Sequence, residues 1–233
     1  MLNIGIVIAI KKELNEIKKK LFIYKKINLK KYVLYLGSFK KINFFLLQCN
    51  IGKTNASCAT TLLLQTYKIN FIINIGSSGS LKKKIKIFDI IIAKKTCYYD
   101  VDLTAFNYPI GKIPNSPNFF NSDSYLKEIA IRACIKKKFS FFLGTLVTGD
   151  TFLKEKKKIN FIKSIFPSAI ALDMEASAIA HVCYIFTIPF INIKFISDCS
   201  SKNSQEEFKK NIDLISFKSY LIILEILKNL SDL

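Results

Sequence analysis

Carboxylates in this chain sit where apolar runs stop. The run Ala169-Ile-Ala-Leu ends in Asp173-Met174-Glu175, and the run opened by Pro189 ends in Ser197-Asp198. Glu13 follows a third run, Ile4-Gly-Ile-Val-Ile-Ala-Ile10. At such places a solvated face is not the default, and ligands of α/β sheets bind outside the carboxyl ends of the strands. Glu13, Glu175 and Asp198 are therefore candidates for acid–base chemistry, more so if the fold gathers them at one sheet edge.

Other chemistries have less to work with. His181 is the only histidine and lies six residues after Glu175 on the same expected helix, hence on a different face. A metal site or a Ser/His/Asp triad has little room, and His181 reads as a structural or interface residue. No two of the six cysteines form a C-x-x-C pair, so neither a zinc site nor a disulfide framework is expected. Gly52-Lys53-Thr54 resembles the end of a Walker A loop, but Leu47 stands where that loop needs glycine. No G-x-G-x-x-G occurs. Gly76-Ser77-Ser78-Gly79 follows an apolar run directly, which suits either an ordinary turn or a close backbone approach to a ligand.

The elements that must position these residues follow from periodicity. Asn3–Ala9, Lys31–Phe39, Asn43–Cys49, Asn70–Ile75, Phe88–Lys94 and Ser140–Thr148 read as strands, with two more in the runs that end at Asp173 and Asp198. Lys12–Phe22, Gly52–Tyr67, Ser122–Lys137, Lys154–Ile165, the segment after Glu175 to about Phe186, and Ser204–Leu230 read as helices. Cys97–Phe120 is an aromatic and proline-rich connection of a length that usually serves function or an interface. Strands alternate with helices with no linker or repeat. The expectation is one domain, 1–233: a three-layer α/β/α sandwich around a central mixed, twisted sheet.

Composition narrows the class. Half of the 233 residues are hydrophobic (50%), ample for a core, and the apolar runs are too short to cross a bilayer. Leu2–Ile10 lacks a basic leader and a small-residue cleavage site, so it reads as a buried strand rather than a signal peptide. Reduced cysteines then imply the cytoplasm. The formal charge of +19 raises the question of nucleic acid. Yet the lysines are spread along the chain and Arg132 is the single arginine. With isoleucine, asparagine and phenylalanine abundant, the charge reads as a compositional bias, and neither nucleic acid nor a membrane is expected as partner.

Several segments taken in order carry a resemblance: Ile4-Gly-Ile to Glu13, Asn50-Ile-Gly-Lys53, Ile73-Asn-Ile-Gly-Ser-Ser-Gly79, Tyr99-Asp-Val-Asp-Leu-Thr-Ala-Phe106, Thr148-Gly-Asp-Thr-Phe152, Asp173-Met-Glu-Ala-Ser-Ala-Ile-Ala-His181 and Phe195-Ile-Ser-Asp198. Together they resemble the 5′-methylthioadenosine/S-adenosylhomocysteine nucleosidases of the purine nucleoside phosphorylase/nucleosidase superfamily, from Ile4 to about Phe208. The resemblance implies a nucleoside phosphorylase-like fold and hydrolysis of the bond between adenine and a 5-thio-ribose, without metal or organic cofactor. It assigns Glu13 to activation of water and Asp198, beside Ser197, to protonation of adenine N7. Glu175 would hold the ribose hydroxyls and Met174 would pack beside the sugar. Phe152 would stack on adenine, the Leu153 backbone would read its edge, and Ser77 and Gly79 would line the ribose and water side. Ile51 and Phe208 would receive the alkylthio tail. Leu103, Phe106 and Pro114 would reach that tail from a neighbouring subunit, which implies a homodimer.

The chain departs from the family pattern in places. Lys194 stands where an arginine is usual near the water and ribose, keeping the charge but losing the planar fork. Ile10 replaces a methionine, and lysines flank Glu13, where Lys11 and Lys12 are expected to help keep the base ionised. Rival readings are a phosphorylase on the same fold, which would want arginines for phosphate, a binding protein without turnover, and a basic nucleic-acid binder.

Overall fold

The computed structural model describes residues 1–201 and 203–231. The first strand, β1 (Leu2–Ile8), is followed by α1 (Lys11–Lys20), the meander β2 (Ile23–Leu29), β3 (Tyr32–Phe39) and β4 (Ile42–Gln48), and α2 (Lys53–Thr66). Then come β5 (Phe71–Ser80), β6 (Ile90–Tyr98), a 3-10 turn at Thr104–Phe106, β7 (Phe120–Asn121), α3 (Ser124–Lys136) and β8 (Phe141–Thr148). The chain continues through α4 (Lys156–Ile165), β9 (Ala169–Asp173), α5 (Ala176–Ile185), β10 (Phe190–Asp198) and the long α6 (Ser204–Ser231).

β1 pairs in parallel with β4 and β5, so it is covered on both faces and reads as a continuous apolar run. Its alternate side chains divide between the two layers. Ile4, Ile6 and Ile8 join a core with residues of α1, α3 and α6, while Val7 and Ala9 join a core with residues of α2 and α5. That gives the expected mixed sheet with helices on both sides. No described helix is long and apolar enough to cross a membrane.

The sheet also closes on itself, which periodicity did not foretell. β5 pairs in parallel with β10, β10 runs antiparallel to β6, and β6, β8 and β9 follow in parallel. β9 then returns to β5 in antiparallel pairing at Gly79 and Ser80. This closure requires β5 to extend past the expected end at Ile75. Gly76-Ser-Ser-Gly79 is therefore strand, not turn. β2 lay outside the expected strands because Tyr24, Lys25 and Lys26 are exposed on an edge, where a strand carries no apolar run.

Candidate active site

Glu13 occupies a core position on a helix that is otherwise mostly polar. It shares the buried stripe with Leu14 and Ile17, and only 1% of it is exposed. Ser77 N–H donates to Glu13 Oε1 at 2.7 Å. A Cβ on Gly76 would lie 3.1 Å from Glu13 Oε2, so the missing side chain leaves the carboxylate its place against β5. From α6, the Ser216 hydroxyl bonds the carbonyls of Lys12 and Glu13 at 2.9 and 2.8 Å and fixes this turn of α1.

β10 sets Lys194 opposite Gly76 and Asp198 opposite Gly79, with a register shift between Ile196 and Asp198. The shift matters for Asp198. Its Oδ2 accepts from the Ser197 hydroxyl at 2.8 Å and its Oδ1 from Ser200 N–H at 2.9 Å. A Cβ on Gly79 would collide with Ser200 Oγ and come within 3.1 Å of Asp198 Oδ1. Asn211 of α6 donates to the Ser197 carbonyl at 2.9 Å and holds the end of the strand.

The β9–α5 junction supplies the remaining acids. Asp173 accepts from Thr148 Oγ1 at 2.6 Å and from Ala176 N–H at 2.9 Å, and pairs with Lys194 Nζ at 3.0 Å. Glu175 Oε1 accepts from Gly52 N–H at 2.9 Å, which ties the β4–α2 loop to the site. That loop is also held by Lys53. Its ammonium bonds Asp100 at 2.7 Å, its N–H donates to Asp150 at 2.7 Å, and Asp150 N–H donates to Asp100 at 2.9 Å. Lys53, Asp100 and Asp150 lie in matching segments, but sequence reasoning gave them no role. Their work is to join three loops.

Burial sets the electrostatics. It pushes the Glu13 carboxyl up, against the Ser77 hydrogen bonds and the Lys194 charge that favour ionisation. It also raises Asp198, opposed by the Ser197 hydroxyl and the Ser200 amide. Glu175 is pushed up to about 7 by burial and then by Asp173, with Lys194 pulling the other way. For Lys194 itself burial works against the charge, but Asp173, Glu175 and Glu13 outweigh it and its pKa is raised. The charge that supports Glu13 is thus Lys194, not its sequence neighbours as expected. Lys12 points to Asp213 at 3.7 Å, at the surface.

A cavity of about 460 Å³ opens beside these groups. Ser77, Gly79, Met174, Glu175, Ser197 and Asp198 line it, joined by Leu153 and by Ile51, Phe152 and Phe208. The rings of Phe152 and Phe208 meet edge-on at 6.2 Å. Glu13 and Lys194 are not among the lining residues; both are buried against β5, Glu13 on Ser77 N–H and Lys194 opposite Gly76. Leu103, Phe106 and Pro114 are not brought to the cavity within one chain, and Phe106 is 72% exposed. Asp173, Lys154, Gln205 and Lys209 line it without having been singled out. For Asp173 a signal existed, an acid ending an apolar run two residues before Glu175. His181 stacks on Phe120 at 4.8 Å and reaches Tyr98 and Ser116, a structural role. Arg132 is exposed on α3, outside the lining.

Comparison with known proteins gives a consistent result. The sequence profile of the Phosphorylase superfamily matches residues 3–228. A 5′-methylthioadenosine/S-adenosylhomocysteine nucleosidase of Buchnera aphidicola subsp. Acyrthosiphon pisum (strain Tuc7) is 45% identical over 232 residues, 100% of both chains. The nucleosidase of the same name from Neisseria meningitidis, solved with methylthio-immucillin-A, superposes with a TM-score of 0.95 at 30% identity, over 98% of this chain and 100% of that one. A futalosine hydrolase of Helicobacter pylori strain 26695 superposes with a TM-score of 0.93 at 26% identity, over 98% of each chain.

Proposed function

The chain belongs to the phosphorylase superfamily and, within it, to the 5′-methylthioadenosine/S-adenosylhomocysteine nucleosidases, and from that premise we propose how its own residues carry the reaction. The protein is a nucleosidase, an N-glycosyl hydrolase: it cleaves the bond between adenine and the 5-thio-ribose of these nucleosides.

Breaking the C–N bond builds positive charge on the ribose, an oxocarbenium-like transition state. Asp198 gives its proton to adenine N7, and the bonding pair leaves with N9 as neutral adenine. Water adds to C1′ of the sugar and Glu13 takes its proton, so that solvent exchange resets both carboxyls. Burial supports both assignments. A raised pKa keeps a proton on Asp198 at higher pH than an ordinary aspartate, and makes Glu13 a stronger base once ionised. Ser77 N–H and Lys194 favour that ionised form. Glu175 holds the ribose hydroxyls, with Met174 beside the sugar and Phe152 on the adenine face, while the Leu153 backbone reads its edge. Ile51 and Phe208 receive the alkylthio tail.

The observation that carries this reading is how β5 joins the two acids to one cavity. Glu13 lies against Gly76 and Asp198 against Gly79. Ser77, whose N–H bonds Glu13, lines the same cavity as Asp198, Ser197, Glu175 and Phe152. Phosphorolysis would need a cationic cradle for phosphate, and Lys194 is already engaged by Asp173. The test is adenine release from methylthioadenosine in phosphate-free buffer. Strict dependence on phosphate, with ribose-1-phosphate as product, would overturn hydrolysis.

The same proposal extends to the whole molecule. It is a single domain, 1–233, working as a homodimer in which Leu103, Phe106 and Pro114 of one copy close the tail pocket of the other. Exposed Phe106 and the exposed mouth residues Ile51 and Phe152 support that arrangement. Six free cysteines suit a reducing cytoplasm, and the products suit methionine salvage.

A further inference from the structure

The cavity changes sign from floor to lip. Its deep acids are Asp173, Glu175 and Asp198, whereas the ionisable groups of its lip are Lys154, just before α4, and Lys209 on α6. Gln205, Phe208 and Lys209 lie at helical spacing i, i+3 and i+4, which puts them on one face of α6, turned to the cavity. Phe208 ends the apolar part of the tail pocket, and Lys209 is the next position along that face. Neither lip lysine has a carboxylate partner among the described residues, in contrast to Lys53 with Asp100 and Lys158 with Glu155. The nearby acids do not neutralise them. Glu207 accepts from Cys199 N–H at 2.9 Å, Glu155 is engaged by Lys158, and neither they nor Glu206 line the cavity.

We propose that Lys209, with Lys154 on the same lip, is a specificity determinant that favours nucleosides whose 5′-thio tail ends in a carboxylate, as in S-adenosylhomocysteine, over tails that lack one. The inference rests on the nucleosidase reading above. A methylthio tail ends among Ile51 and Phe208 and has nothing to offer the lip. A homocysteine tail passes Phe208 and turns its carboxylate to the two lip lysines, with the α-ammonium beside it directed away from them to solvent. Because both lysines are exposed, the gain is that of a surface ion pair, and it is screened by salt.

The experiment compares kcat/KM for S-adenosylhomocysteine with kcat/KM for 5′-butylthioadenosine, a tail of similar length without a carboxylate, in the wild type, Lys209→Gln and the Lys154→Gln/Lys209→Gln double variant. The wild-type ratio should exceed that of Lys209→Gln by about threefold at low salt, the range of an exposed pair. It should fall further in the double variant, through KM rather than kcat. High salt should bring the wild-type ratio down to that of the double variant. A ratio that is the same in all three proteins, or one insensitive to salt, overturns the proposal while leaving the nucleosidase intact. No adenine from either substrate with the wild type would overturn both.

Discussion

Asp198 and Glu13 share much of their surroundings, and one charge tells them apart. Each is buried beside a glycine of β5 and bonded by a serine side chain and an amide, but only Glu13 is also favoured in its ionised form by the Lys194 charge. Asp198→Asn and Glu13→Gln are isosteric and should each cut adenine release by roughly 10²–10⁴, the usual worth of one positioned proton transfer. Circular dichroism should show the fold unchanged, and near-normal turnover in either variant would remove that role. The pH dependence follows in sign. On the proposed roles, activity needs Glu13 ionised, so kcat/KM rises with pH through a pKa above the ordinary glutamate value. It also needs Asp198 protonated, so kcat/KM falls through a pKa above the ordinary aspartate value. A flat profile from about pH 5 to about pH 9 would contradict the assignment. Glu175 adds a prediction about stability. Its carboxyl is pushed up to about 7 in the folded protein, so its contribution is fully present below the ordinary glutamate pKa and is lost as pH rises through 7. Without ligand, the fall in Tm between mildly acidic and mildly alkaline buffer should be smaller in Glu175→Gln. An equal fall in both proteins would show that Glu175 is not the group responsible. At this scale the burial of the three acids was legible, because an acid that ends an apolar run is carried into the sheet with it. What supports Glu13 was not. Lys194 is distant in sequence and reaches it only through the pairing of β10 with β5.

The element that organises the site is β5, and its polar end was not read as strand. Its apolar part, Phe71–Ile75, was evident from composition, but the polar continuation through Ser80 looked like a loop. It is a strand because β10 and β9 pair with it there, at positions distant in sequence. Glycine, usually a weakness within a strand, is needed because a carboxylate takes the space of the missing side chain. Gly79→Ala tests this. The added methyl would displace Ser200 Oγ, which can rotate away, and would stand 3.1 Å from Asp198 Oδ1, so the carboxyl itself has to give. Overpacking of this kind costs about 1–3 kcal/mol, and a displaced acid costs turnover as well. Tm and kcat should therefore fall together, and a variant with unchanged kcat would show that the close approach is not needed. Helices were the easier elements. α6 was legible from Ser204 to Leu230, with Glu206 and Glu207 at its start and Lys228 at its end, because periodicity and the dipole pattern are both local. β2 was missed for the same reason, since an exposed edge strand leaves no apolar trace.

For the molecule as a whole, the informative feature is what one chain lacks. Ile51 and Phe152 are 51% and 44% exposed at the cavity mouth, and Phe106 is 72% exposed on the connection after β6. Large apolar groups at the edge of a catalytic cavity leave the reaction open to bulk water, whereas a closed site strengthens every charge interaction inside it. The expected tail residues Leu103, Phe106 and Pro114 stay outside the cavity of their own chain, as they must if they serve another copy. The resemblance names them, but no periodicity tells whether a loop serves its own chain or another copy. The net charge of +19 works against self-association at low salt, so apolar burial has to outweigh that repulsion. Phe106→Ser removes the most exposed ring without touching either catalytic carboxyl. In light scattering it should shift the protein from dimer mass toward monomer, more so at low ionic strength, where repulsion between like-charged copies is least screened. Its KM for methylthioadenosine should rise as the protein is diluted, because each site then loses the partner that closes it. A wild type of monomer mass, or a variant whose KM ignores protein concentration, would mean that the tail pocket is complete within one chain.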